Sequence, residues 1–276
     1  MYDLRKCHMI TTMNTHRNDS LQIRHLIFTR FNIQYEEGDT IGICPSWLDE
    51  RLRLFEAYCL PPIQNQTCTN FIWLIIGDSR TPIEYKTRIE SYKTILPQIR
   101  VIWTPYQKDC YHNFYRNLGQ EFASGYDILI STRLDSDDAT PANYVEVVQK
   151  IAQEGLEGII SFPVGKQTFV NTNKSYKVRY VQNHSTSRIE KSGFETIMVY
   201  DHTQVTIDQE HLFETKEPMW EEIVHGGNML NDYVPKYHYY INGFSDFWDL
   251  SRRWVRFQWK RLKRFLDTFF VSVHKS

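Results

Sequence analysis

The chain has 276 residues, 41% hydrophobic and 24% charged, which is enough to close one large core and too apolar for global disorder. Its net charge of −1 conceals an asymmetry: residues 251–276 hold eight Lys/Arg and one acid, so the remainder is acidic and unsuited to a nucleic-acid groove. Five cysteines, at positions 7, 44, 59, 68 and 110, form no CxxC pair, which argues against a disulfide framework or a cysteine zinc site and for free thiols in a reducing compartment.

Residues 1–23 are polar and aperiodic and read as a loose arm without a signal-peptide core. HLIFTRFN (25–32) reads as a first strand. Leu48, Leu52, Phe55 and Cys59 recur at helical spacing, and Pro61-Pro62 is expected to stop that helix. NFIWLIIGD (70–78) is a near-continuous apolar run, the mark of a buried parallel strand. A helix from Thr81-Pro82 to about 95, a strand over 99–103 and a helix over about 110–124 follow. DILISTRLD (127–135) is the next buried strand, followed by a helix over about 141–154 and a strand over 158–165. Residues 166–205 resemble short antiparallel strands.

Alternating strands and helices from 25 to 165 imply an α/β fold with a mostly parallel sheet, whose ligands sit beyond the carboxyl ends of the strands. The tail, 248–273, carries apolar residues at 255, 259, 262, 266, 269/270 and 273 beside a row of cations. It reads as a terminal basic amphipathic helix, which fits either an anionic membrane surface through 252–270 or packing on protein. No run of about 18 apolar residues spans a membrane. The expected location is therefore cytoplasmic, peripheral to the inner face of the membrane if the tail binds lipid.

The chemistry concentrates in RLDSDDA (133–139), at the end of a buried strand. Three carboxylates in four residues repel one another unless something neutralises them. Mg²⁺ or Mn²⁺ suits such hard oxygen ligands and can stabilise a diphosphate leaving group. The plainer reading is an acidic turn capping the helix that begins near Pro141. The cluster also fits nucleotidyl transfer, or a non-catalytic nucleotide- or glycan-binding module. No GxxxxGK[ST] motif occurs, and FTRFN lacks the glycine of a phosphate loop, which weakens the former.

YRNLGQEFASGYDILISTRLDSDD (115–138) resembles the large inverting glycosyltransferase superfamily with the GT-A fold: Arg116, Asn117, Gly119, Ala123 and Gly125 precede the acidic strand end in matching order. HLIFTRFN, RLFEAYCLPPIQNQT (53–67), NFIWLIIGD, RLDSDDA and MWEEIVHGGN (219–228) together resemble the rhamnosyltransferase family. That resemblance implies a GT-A domain over 24–245, with the basic helix at 246–276 outside the shared core. It implies a dTDP- or UDP-sugar donor, a glycan or lipid-linked glycan acceptor, and transfer with inversion.

On that resemblance, Asp135, Asp137, Asp138 and His225 are the expected metal ligands, Asp135 also touching the ribose. Thr29, Arg30, Asp78, Arg116, Asn117 and Arg133 would border the nucleotide, and Asn228 the diphosphate or acceptor. Inversion needs a base to deprotonate the acceptor. Glu217, Glu221 and Glu222 are the candidates, with Glu217 and Glu221 preferred. If 219–225 is helical, Glu221 and His225 share a face.

Overall fold

The computed structural model describes residues 21–181, 183–199, 210–226 and 239–240. The expected arm over 1–23 falls outside them except for its last three residues, and Ile23 already opens the first strand. The basic helix at 246–276 and Asn228 lie outside the described residues.

Four parallel strands form the heart of the main sheet: β1 (Ile23–Arg30), β2 (Ile72–Asp78), β3 (Ile99–Thr104) and β4 (Ile128–Arg133). Beyond β4 come β8 (Thr186–Glu190), β5 (Gly158–Ser161) and β9 (Glu210–Leu212), giving the order β3-β2-β1-β4-β8-β5-β9. Among these strands β8 alone runs against the rest. A second sheet holds β10 (Glu221–Val224), β6 (Val164–Phe169), β7 (Lys174–Arg179) and β11 (Tyr239–Tyr240), in that order.

Both faces of β1, β2 and β4 are largely buried, and β2 in particular is a near-continuous apolar run. In β1, Ile27 enters a core with Trp73 and Ile75 of β2, while Leu26 and Phe28 enter another with Leu74 and Ile76. The first core is closed by α1 (Pro45–Leu54) and α3 (Ile83–Ser91), the second by α4 (His112–Phe122). A third core joins β4, β5 and β8 to α5 (Tyr144–Gln153). Each fully buried Leu, Ile or Phe in these layers contributes roughly 1.5–3 kcal/mol.

Three expectations are corrected. Pro61-Pro62 does not end the first helix. A wide turn of π type over Phe55–Cys59 leads into α2 (Leu60–Gln64), whose first turn holds both prolines, where their missing N–H groups are not needed. The strand expected over 158–165 is two strands in different sheets, β5 and β6, broken at Phe162-Pro163. The segment 219–225 is not helical, and Glu221–Val224 forms β10, parallel to β6.

One buried titratable group belongs to the fold alone. His25 is fully buried in β1, its Nε2 2.8 Å from Thr132 Oγ1, and burial holds its imidazole down at about 3, below its usual 6.5. A histidine kept neutral when folded gains a proton on unfolding at any pH between those values. Stability is therefore full above pH 6.5 and falls as pH drops toward 3. We expect His25→Gln to remove about 1.4 kcal/mol of that acid sensitivity per pH unit. Urea unfolding of both proteins at neutral and mildly acidic pH would read this as a gap that narrows on acidification.

Candidate functional site

The acidic loop leaves the carboxyl end of β4, and it is held from two sides. From one side come α1, the wide turn and α2. Arg51 donates to Ser136 Oγ at 3.2 Å, and the Cys59 thiol donates to the Asp135 carbonyl at 3.5 Å. Buried Gln66 donates to the Pro141 carbonyl at 2.8 Å and accepts from the Val145 N–H at 3.0 Å, tying the end of the loop to α5. From the other side comes β10. Ala139 and Glu221 exchange backbone hydrogen bonds of 2.9 and 2.8 Å, and the Ile223 N–H donates to Asp138 Oδ1 at 2.9 Å. The acids do not cap α5: its first residue is Tyr144 and its N-cap is Asn143. The capping-turn reading therefore falls.

The three acids then divide. Asp138 is buried and its Oδ2 lies 2.8 Å from Nε2 of His184. Burial pushes the Asp138 carboxyl up to about 7 despite the pull of His184. Burial alone would lower His184, but the Asp138 carboxylate outweighs it and raises the imidazole to about 10. Both directions have one meaning: the pair retains a proton at neutral pH. Asp137 points elsewhere. Its Oδ1 lies 2.9 Å from the Arg51 guanidinium and its Oδ2 2.9 Å from His225 Nε2. Burial raises the Asp137 carboxyl, but His225 and Arg51 together bring it below the usual carboxylate value.

Asp135, Asp138 and His184 each offer one ligand atom, all within 4.8 Å of one another. Two carboxylate oxygens and one imidazole nitrogen suit a divalent cation such as Mn²⁺ or Mg²⁺, which would take the place of the proton shared by His184 and Asp138. His184 is held in place by its edge-to-face contact with Trp220, centroids 5.7 Å apart. Trp220 in turn donates its indole N–H to the Phe162 carbonyl at 2.8 Å and lies flat against Gly165. Sequence reasoning missed His184, and no periodicity or motif around it marks it out.

The other expected site residues are distributed along the carboxyl edge of the sheet and beyond it. Asp78 ends β2 and accepts from both the backbone N–H and the guanidinium of Arg80, at 2.8 and 2.7 Å. Arg30 ends β1, its guanidinium 5.8 Å from the Tyr35 ring. Thr29 is buried inside the sheet, accepting from the Trp73 indole at 2.9 Å. Arg133 is buried and donates to the Ile197 carbonyl at 3.2 Å. Arg116 pairs with Glu195 at 3.3 Å, and Asn117 is exposed on α4.

Among the candidate bases, Glu217 lies in an exposed loop, and Glu221 is engaged by Lys166 at 2.8 Å and Thr168 at 2.5 Å. Glu222, on the opposite face of β10, is buried against Gln167, and burial raises its carboxyl while His184 and Gln167 pull it down.

The site thus lies on a mostly parallel α/β sheet flanked by helices, in an acidic loop at the carboxyl end of β4. Residues 28–237 match the model of the family described as "Putative rhamnosyl transferase". The chain belongs to that family.

No curated protein matches. Among solved structures the chain is similar to S. aureus TarS at 9% identity, covering 74% of this chain and 37% of that one, with a TM-score of 0.41. It is also similar to TarS 1–349 in complex with UDP, at 12% identity, 73% and 60% coverage and a TM-score of 0.41. For TarS 1–349 in complex with UDP-GlcNAc the values are 12%, 78%, 62% and 0.43. The chain thus spans less than two thirds of the length of each. Among the described residues no helix is long and apolar enough to cross a membrane.

Proposed function

We propose that this protein transfers a sugar, rhamnose first among the candidates, from a dTDP- or UDP-sugar to a hydroxyl of a glycan or lipid-linked glycan, with inversion at the anomeric carbon. The observation that carries the reading is the convergence of Asp135, Asp138 and His184 at the carboxyl end of β4. These three residues would hold Mn²⁺ or Mg²⁺. A cation so held supplies positive charge to the diphosphate oxygens as the sugar leaves.

The chain's own groups do the rest. Asp78 and Arg30, at the ends of adjacent strands, would border the nucleotide. Arg51 neutralises Asp137 and lowers the repulsion within the loop. The acceptor's proton would go to one of three carboxylates, Glu217, Glu221 or Glu222: Lys166 and Thr168 engage Glu221, Gln167 engages buried Glu222, and Glu217 is exposed. The basic stretch 252–270 would bring the enzyme to an anionic membrane surface carrying the acceptor.

The test is a thermal-shift series with UDP, dTDP and their sugars, in Mn²⁺ or in EDTA, on wild type and Asp135→Asn. A nucleotide at about 100 times its Kd should stabilise the fold by about 2.7 kcal/mol, in Mn²⁺ alone and not in the variant. No shift with any nucleotide sinks the donor reading. Product NMR tests inversion separately, and a retained configuration would overturn it.

A further inference from the structure

Asp137, the member of the acidic loop that stands outside the cation group, holds two residues, Arg51 and His225, that line a cleft. Trp47, Glu50, Arg51, Leu54 and His225 line this half-open space of about 270 Å³. The Arg51 guanidinium, fixed by Asp137 and Ser136, lies 4.8 Å from the Trp47 ring centre. Leu54 is buried and forms an apolar floor, and Trp47 is half-buried. Exposed Glu50 receives both Nε and Nη2 of Arg53, at 2.8 and 2.7 Å, which orients its carboxylate. None of the five belongs to the Asp135–Asp138–His184 group.

The lining states what it would take. The volume admits a single ring rather than a nucleotide. The positive charge of Arg51 is already matched by Asp137, and that of Arg53 by Glu50, so no unmatched cation is left for a diphosphate or other anion. An aromatic body beside planar donors and a carboxylate acceptor suits a neutral, hydroxyl-bearing ring with one apolar face. We propose that this cleft is a pyranose subsite that seats the acceptor's terminal sugar beside the acidic loop. The inference rests on the transferase reading for its placement of the donor, but its ligand chemistry follows from the cleft alone.

Saturation-transfer NMR on the full chain tests it, with methyl α-rhamnopyranoside, methyl β-glucopyranoside and methyl N-acetyl-β-glucosaminide as probes. At least one glycoside should receive saturation on its ring protons, with affinity about tenfold weaker in Trp47→Ala. Trp47→Phe should retain most of the signal. Because Trp47 also packs on the core, Glu50→Gln provides a variant at an exposed position. It should weaken binding without moving the thermal midpoint.

Signal that is the same in Trp47→Ala and Glu50→Gln as in wild type, or absent for all three glycosides, overturns the subsite. Displacement of the glycoside by UDP-sugars but not by UDP would give the cleft to the donor's sugar and overturn the acceptor assignment. Metal-dependent nucleotide shifts measured on the same samples keep the two readings apart. Trp47-dependent glycoside binding without any nucleotide shift would sink the transferase reading and leave the cleft standing. The reverse pattern would do the opposite.

Discussion

His184→Ala is expected to abolish transfer and to lower stability together. The substitution leaves Asp138 buried and without its imidazole, so the carboxyl must take up a proton or remain an unpaired charge. Breaking a buried pair in this way costs about 3–5 kcal/mol. It also deletes one of the three groups proposed to hold the cation. Loss of partners that merely orient a metal ligand weakens metal affinity about 10–100-fold, so loss of the ligand should cost at least ~100-fold. His184→Gln separates the two effects. An amide N–H can still reach Asp138 and should recover much of the thermal midpoint, while the imidazole nitrogen stays lost. Mn²⁺ titration followed by electron paramagnetic resonance reads the metal directly, without an assay for transfer. Unchanged Mn²⁺ affinity in both variants would remove His184 from the cation group.

Gly165→Ala should have a comparable effect from a distance. A Cβ on Gly165 would sit 2.1–2.3 Å from three ring atoms of Trp220, closer than any real contact permits. The indole cannot retreat easily, since its N–H is bonded to the Phe162 carbonyl and its ring lies among Phe169, Tyr176, Val178 and Val224. Overpacking of this kind costs about 1–3 kcal/mol and occasionally more, and here the upper part of the range is expected. Displacing Trp220 also removes the edge on which His184 rests. Lower Mn²⁺ affinity should therefore accompany the lower midpoint. A stable Gly165→Ala protein with wild-type Mn²⁺ binding would show that Trp220 does not position His184.

The parts of the fold that were legible in the sequence are those with a local signature. β1, β2 and β4 carry apolar stretches (LIF, IWLII and ILI) because both faces of each are covered, and the acidic loop follows β4 directly. The misread parts depend on distant partners. Pro61-Pro62 carries the stop signal of a helix, and only the wide turn over Phe55–Cys59 shows that the chain could pass them helically. Adjacent Glu221 and Glu222 fit a helix or a strand equally well. On a strand they must face opposite ways, which separates the Lys166-bound carboxylate from the buried one. His184 is a lone histidine in an aperiodic stretch, and its meaning lies in Asp138, far along the chain. Arg51, Cys59 and Gln66 stood in stretches that read as helix and its flank, yet their side chains hold the acidic loop.

The clasp between the acidic loop and β10 has a consequence for the order of folding. The bonds from Ile223 to Asp138 and from His225 to Asp137 span 85 and 88 residues. Contacts of such separation carry a large loop-closure cost and form after local ones. During synthesis the parallel strands through β4 can pair, with Arg51 already available to Asp137, while Asp138 still lacks His184 and the Ile223 N–H. The loop has its full set of hydrogen-bond partners only after residue 225 has been added. Until then the loop lacks its clasp, and β10 completes the site as well as its own sheet.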